Sequence, residues 1–489
     1  MTRSQRVPSG GGFGGGSGAS REKHQRQLEQ QAQRSLQAGD WMGAERAYRW
    51  LINGDSANPS VYTNLAALLA MQKRTSELEP LLRQAIALQP KDPVALNNLG
   101  QVLVQRGALE EAEASFDAAL ELDGTYPEAL TNLANLRFQR GALDEAIDLY
   151  KLALAVDPNY LEAQWNLAHP LLLLGDYRQG FRQYEYRSAI REAIQPHSIP
   201  SLHLWDGAPL PSGTPLVLVS EQGLGDSLQF MRLAPLLKQR QSCEVVFSVQ
   251  DKLEPLARSS ALADRYVPHA RLAELRQGVW LPLLSLPARL GIEPTQPLPS
   301  LPPLRPSALA LQRWTERLAA AADPGPIRVG IHWQGDPAHE ITSLRGRSLP
   351  LEALAPLAEI PEITFVSLQR GHGEEQLQHC SFRNRFTTAQ ADMNGVWAFD
   401  DMAAIVNQCD LVISSDSAMV HLAAGMARPT WVLLKAIPEW RWGLQSSESF
   451  WYPSVRLFRQ SVNGDWPGLI ATVTANLKEQ ICTGAIPAC

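Results

Sequence analysis

Hydrophobic positions along this chain follow two different periods. Up to about residue 188 apolar residues keep a helical spacing, and a longer repeat of 34 residues is superposed on it. Asn-Leu recurs at Asn64-Leu65, Asn98-Leu99, Asn132-Leu133 and Asn166-Leu167, each time followed by Ala or Gly. Glycines at 107, 141 and 175 keep the interval, as do Ala112 and Ala146, Phe116 and Tyr150, and Ala85, Ala119 and Ala153. Small residues at fixed stations let two antiparallel helices approach closely, and Pro59, Pro93 and Pro127 open a new first helix. Earlier stations are weaker: Gln31 stands where Leu is expected, and Lys73 where Gly is expected.

The helical period stops at 189–213, where prolines at 196, 200, 209 and 211 mark a linker. Beyond it, PLVLV (215–219), EVVFSV (244–249), IRVGIHW (327–333), ITFVSL (363–368), DLVISS (410–415) and PTWVLL (429–434) alternate with helical stretches. Runs that are apolar throughout suit strands buried on both faces, hence parallel sheets. A proline-rich break at 297–306 predicts two α/β lobes, 214–303 and 304–489, with a cleft between them. Residues 1–20 hold seven glycines and little that is apolar, which predicts a disordered tail. Gly10, Gly12 and Gly15 form a chance G-x-G-x-x-G there, with no strand before it.

Three places hold candidate chemistry. After the first buried strand, EQGLGD (221–226) leads into a helix; Gly223 and Gly225 permit a tight turn and close approach to a ligand, and the helix start favours an anion. Asp226 either works in that site or simply caps its helix. In the second lobe, Ser414-Ser415 end a strand, and Asp416, Ser417 and Ala418 lead into a helix on which Ser417 and His421 share a face. Either this is a phosphate seat, or a capped helix start with a packed histidine. Between the two, a loop carries His339, Arg345 and Arg347, whose guanidinium groups suit a diphosphate or solvent equally. No P-loop or Asp-x-Asp is present, and no metal site or other cofactor is predicted.

Charge and composition narrow the picture. The 44 Lys+Arg against 50 Asp+Glu give a net charge of −6 without long runs of one sign, which argues against a nucleic-acid partner. No apolar run approaches the ~18 residues of a membrane helix. The first residues lack the apolar core of a signal peptide, and five cysteines are scattered without a C-x-x-C pair; a reducing, cytoplasmic setting is expected.

The 34-residue pattern resembles the tetratricopeptide repeat, placed at 21–188. The region from about 214 to 480 resembles the heptosyltransferase family through GLGD (223–226) and DSAMVH (416–421). That resemblance implies a two-lobed GT-B-like glycosyltransferase acting on a nucleotide-diphosphate sugar, with inversion as the family's outcome. Asp226 would be the general base, Arg347 would stand near the family's phosphate-contacting Lys, and Asp416, Ser417 and His421 would lie at the donor site. Ala418 replaces the usual Gly, and the short first lobe implies a reduced acceptor pocket. The tail at 440–460 falls outside the heptosyltransferase pattern and is similar to that of bacterial proteins joining such repeats to such a domain.

The architecture is also similar to that of protein O-GlcNAc transferases, in which an asparagine ladder binds peptide. Asn64, Asn98, Asn132 and Asn166 occupy the corresponding station, where they either bind a partner or stitch repeats together. The expectation is an all-α superhelix followed by an α/β transferase, whose acceptor is a protein or glycan and whose repeats recruit that acceptor or a partner protein. The alternatives are an inactive scaffold, or a transferase specific for protein hydroxyls.

Overall fold

The computed structural model describes residues 18–190, 196–340 and 345–485, so the glycine-rich segment through residue 17, with Gly10, Gly12 and Gly15, lies outside the described residues. The first helix begins at Gly18, inside the stretch expected to be tail. The chain divides into two compact units: residues 1–137 with 148–158, and residues 138–147 with 159–489. Among the described residues, no helix is long and apolar enough to cross a membrane.

The first unit is built from helix pairs. Its helices are α1 (Gly18–Gln37), α2 (Trp41–Asn53), α3 (Pro59–Met71), α4 (Leu78–Leu88), α5 (Pro93–Arg106), α6 (Leu109–Leu122), α7 (Pro127–Gln139) and most of α8 (Leu143–Val156). Asn58 and Asp92 cap α3 and α5 through their side chains, with Pro59 and Pro93 at the first helical positions where no N–H is needed. Ala85, Ala112, Ala119 and Ala153 are fully buried, and Gly100 lies against the Phe116 ring with no room for a side chain. The turn station adopts left-handed backbone throughout, with φ of +74° at Gly39, +80° at Gly107, +82° at Gly141 and +88° at Gly175. Lys73 occupies the same station at φ 60°. The 34-residue interval is therefore an interval of left-handed turns, held at Lys73 by a residue poorly suited to it.

The second unit holds α9 (Leu161–Leu173), α10 (Tyr177–Tyr184) and two five-stranded sheets. The strands are β1 (His203–Leu204), β2 (Leu216–Val219), β3 (Val245–Ser248), β4 (Arg265–Tyr266), β5 (Val279–Pro282), β6 (Ile327–His332), β7 (Ile363–Ser367), β8 (Leu411–Ser415), β9 (Thr430–Leu434) and β10 (Val455–Arg459). Both sheets are parallel throughout, in the orders β1-β5-β2-β3-β4 and β10-β9-β8-β6-β7. This is a GT-B-like pair of lobes. The order reverses direction between β2 and β5 in one sheet and between β6 and β8 in the other, the points where open α/β sheets bind ligands. All six long apolar runs form strands; β1, inside the expected linker at 189–213, adds an edge to the first sheet.

The last repeat is part of this unit. Trp451 stacks on Tyr177 at 5.7 Å and donates its indole N–H to the Tyr177 hydroxyl (3.1 Å), while Tyr177 and Phe181 present their rings edge-on to Trp440. Just after α10, buried Arg187 makes a two-pronged ion pair with buried Glu221, at 3.0 and 2.7 Å, and also donates to Ser285 (2.9 Å). Glu221 lies two residues beyond the end of β2. Each charge offsets the burial of the other, so neither can be removed alone without stranding its partner.

Lys73→Gly should stabilise the repeat unit by about 0.5–1 kcal/mol, because relief of the left-handed strain exceeds the entropy that glycine adds to the unfolded chain. Thermal unfolding followed by circular dichroism checks this, and an unchanged or lower midpoint contradicts it.

Candidate functional site

The two sheet-end turns meet. Helix α11 (Leu224–Phe230) starts after Gln222, whose left-handed φ of 60° turns the chain sharply behind β2. Gly223 is the N-cap and Asp226 the third helical residue, so Asp226 is not the cap itself. Its Oδ2 accepts from the Gly223 backbone N–H at 2.9 Å, while its Oδ1 accepts from Nη2 of Arg441, in the second lobe. The carboxylate thus serves its own turn with one oxygen and crosses between lobes with the other. Gly225 lies so close to the opposite helix that a Cβ there would sit 2.9 Å from His421 Cδ2 and 3.4 Å from Ala418 Cα.

That opposite helix is α12 (Ala418–Gly425), capped by Ser417, whose Oγ accepts from the Met419 N–H at 3.3 Å and lies 3.1 Å from Ser414 Oγ. Asp416 therefore stands outside the helix, partly exposed, beside Trp442, Arg347, Arg441 and Lys435; burial raises its pKa against the pull of those cations. His421 is buried with Nδ1 2.9 Å from the Tyr452 hydroxyl and its ring stacked on Trp442. Burial, reinforced by Arg441, Arg232 and Arg347, holds it well below the usual histidine range, so it is neutral. It packs the site rather than carrying charge into it.

The two arginines of the loop separate. Arg345 is exposed, and its carbonyl accepts from Lys435 Nζ at 3.3 Å. Arg347 is half-buried against Gly335, 3.5 Å from Glu340, and its charge reaches Asp416, His421 and Lys435. The His339 side chain lies outside the described residues.

Sequence reasoning missed Lys435, Glu439, Arg441 and His332. Lys435 directly follows β9, and burial lowers its pKa. Glu439 lies under Arg441, and burial pushes it up to about 7 against the pull of that guanidinium. His332 ends β6 at the reversal point, and burial drives it down to about 3, with Arg347 and Arg370 adding to the effect. Among the described residues, His332 Nδ1, Ser367 Oγ, Ser415 Oγ and Arg370 Nη2 are buried without a hydrogen-bond partner. All four lie at or just beyond the C-terminal ends of β6, β7 and β8. A polar group left so is costly, about 1–3 kcal/mol, and these four gather at the ends of neighbouring strands.

The asparagine stations are half-buried. Asn132 donates to Asn97 Oδ1 at 2.8 Å, a bond between successive repeats, and Asn64 lies beside the Tyr48 hydroxyl. Asn98 stands at the matching position on α5, and Asn166 lies on α9 in the second unit.

Comparisons with known proteins agree with this organisation. Residues 92–159 match the tetratricopeptide repeat model, and residues 361–448 match that of glycosyltransferase family 9 (heptosyltransferase). The second match includes Asp416–His421, Lys435 and Arg441, so it runs into the tail that the sequence pattern had set apart; Asp226 and Arg347 lie outside it. Protein FlbA of Caulobacter vibrioides is 28% identical over 328 residues, which are 63% of this chain and 54% of FlbA. The chain thus spans about half the length of this curated relative. Among solved structures, MamA aligns with 32% of this chain and 91% of its own at 19% identity, with a TM-score of 0.29. Pseudomonas aeruginosa PilF aligns with 45% of this chain and 87% of its own at 19% identity, with a TM-score of 0.33. The chain carries a tetratricopeptide repeat region and a glycosyltransferase family 9 domain.

His332 has a folded pKa below its unfolded value, so its contribution to stability is present above about 6.5 and is lost as pH falls toward about 3. His332→Gln should flatten the acid side of the melting-temperature profile between pH 6.5 and 4. An unaltered profile would show that His332 does not carry this linkage.

Proposed function

We propose, on the premise of repeats joined to a family 9 glycosyltransferase domain, that this chain transfers a sugar from a nucleotide-diphosphate sugar to an acceptor hydroxyl. The observation that carries the reading is the meeting of two helix starts at Gly225, which sets a carboxylate from one lobe beside an anion seat from the other. The diphosphate lies at the start of α12, against the amides after Ser417 and near Arg347 and Lys435. These fixed cations balance the charge that grows on the leaving diphosphate, a task that needs no metal ion when they are in place. The unpartnered polar atoms at the ends of β6, β7 and β8 suit the rest of the nucleotide.

Asp226 takes the proton of the acceptor hydroxyl as its oxygen attacks the anomeric carbon, and the nucleoside diphosphate leaves. Attack from the Asp226 side, opposite the diphosphate, gives inversion. The absence of side chains at Gly223 and Gly225 keeps the turn low enough for the acceptor to reach that carboxylate. The repeats recruit the acceptor or a partner protein, and the Asn132–Asn97 bond supports a stitching role for at least that station of the asparagine series.

Two experiments test the reading, using whichever of ADP-, UDP- or GDP-sugar most raises the melting temperature. Asp226→Asn should bind this donor as the parent does while turnover falls by about two to four orders of magnitude. Parent-like turnover would remove Asp226 from the mechanism. Arg347→Ala should weaken donor affinity and its dependence on salt, whereas Arg345→Ala should leave both unchanged. Equal effects of the two substitutions in calorimetry would sink the assignment of Arg347.

A further inference from the structure

The segment after β9 carries a side chain that the reading above does not use. Arg441 is buried, and all three guanidinium nitrogens are committed: Nε to Gln229 Oε1 at 2.5 Å, Nη1 to Glu439, and Nη2 to Asp226 Oδ1. Its own backbone N–H donates to the other oxygen of Glu439 at 2.9 Å. The guanidinium lies over two aromatic rings, 4.5 Å from the centre of Trp440 and 5.3 Å from that of Phe230. A side chain gripped at this many points has one available conformation. Glu439 and Trp440 hold Arg441 within the second lobe, while Nε, Nη2 and the contact with the Phe230 ring join it to Gln229, Asp226 and α11 in the first.

We propose that Arg441 is a positioning residue for the transfer, orienting the Asp226 carboxylate from across the cleft. The inference rests on Asp226 being the base. With Oδ2 held by Gly223 N–H and Oδ1 by Arg441, the plane of the carboxylate is set from both lobes, and each oxygen keeps a second lone pair for the acceptor hydroxyl. Without Arg441 the carboxylate is held on one side only and rotates, so fewer encounters present a lone pair to the proton. Because the two partners come from different lobes, the base is in place only while the lobes are together as seen here. Glu439 anchors Arg441.

The test uses the full chain, with release of nucleoside diphosphate from the best-binding member of the ADP-, UDP- and GDP-sugar panel as readout. Arg441→Met should lower kcat by about 10- to 100-fold while the donor KM changes by less than about threefold, and Arg441→Lys should restore part of the loss. The decisive comparison is Asp226→Asn with and without Arg441→Met. If Arg441 acts through Asp226, the double variant is no slower than Asp226→Asn alone; losses that multiply overturn the proposal. Parent-like turnover of Asp226→Asn would instead overturn the underlying reading. Should Arg441→Met fail to fold, Glu439→Gln keeps the volume and loosens the anchor, and it should show the same direction and the same lack of additivity. A crystal structure of Glu439→Gln supplies a readout that needs no donor: a displaced or two-position Asp226 carboxylate supports the proposal, and an unmoved one overturns it.

Discussion

The closeness of two helix starts at Gly225 is the constraint on which the rest of the second unit depends. With only hydrogen at that position, the turn after β2 can lie against Ala418 and His421; a single methyl would reach 2.9 Å from the imidazole. Contact at that distance is closer than packed carbon atoms tolerate, so any side chain there would push the lobes apart. Moving them apart would separate Asp226 from Arg441 and from the seat at the start of α12. One residue without a side chain thus sets the width of the cleft, and the width of the cleft decides which charges can act on one another.

Burial then sorts those charges. Histidines 332 and 421 are held neutral because desolvation and neighbouring arginines both disfavour a further cation. Carboxylates 416 and 439 are raised by the same desolvation, in spite of the arginines beside them. The permanent charges are left to guanidinium groups, which stay protonated in any of these surroundings. The result is a site in which positive charge is fixed and negative charge can be supplied by a ligand.

The last repeat belongs physically to the second unit. Tyr177, Phe181 and Tyr184 meet Trp440 and Trp451, and Arg187 pairs with Glu221 just beyond the end of β2. One apolar core runs without a break from Leu172 and Phe181 through Leu218 and Phe247 to Val412 and Val420. A linker at 189–213 is therefore a connection in the covalent chain but not a boundary in packing, because burial of aromatic surface joins what proline-rich sequence separates.

By itself the sequence determined what is periodic or local. The 34-residue interval follows from close helix approach and left-handed turns, and it marks the repeats even where Lys73 replaces glycine. Six continuous apolar runs, each long enough to be buried on both faces, are six of the strands. The short edge strands β1 and β4 escaped notice, as did β5, which ends in proline, and β10, whose arginines interrupt the apolar pattern. Asp226, Asp416, Ser417 and His421 were legible because a strand followed by a glycine- or serine-rich turn and a helix is a local pattern. Only the tertiary structure decided that Asp226 faces Arg441, 215 positions away, that Arg347 rather than Arg345 turns inward, and that His332 and Lys435 join the same rim. These relations depend on the direction in which each sheet reverses its strand order and on how closely the lobes pack; Gly225 permits that approach, but the partners it brings together lie far apart in the chain.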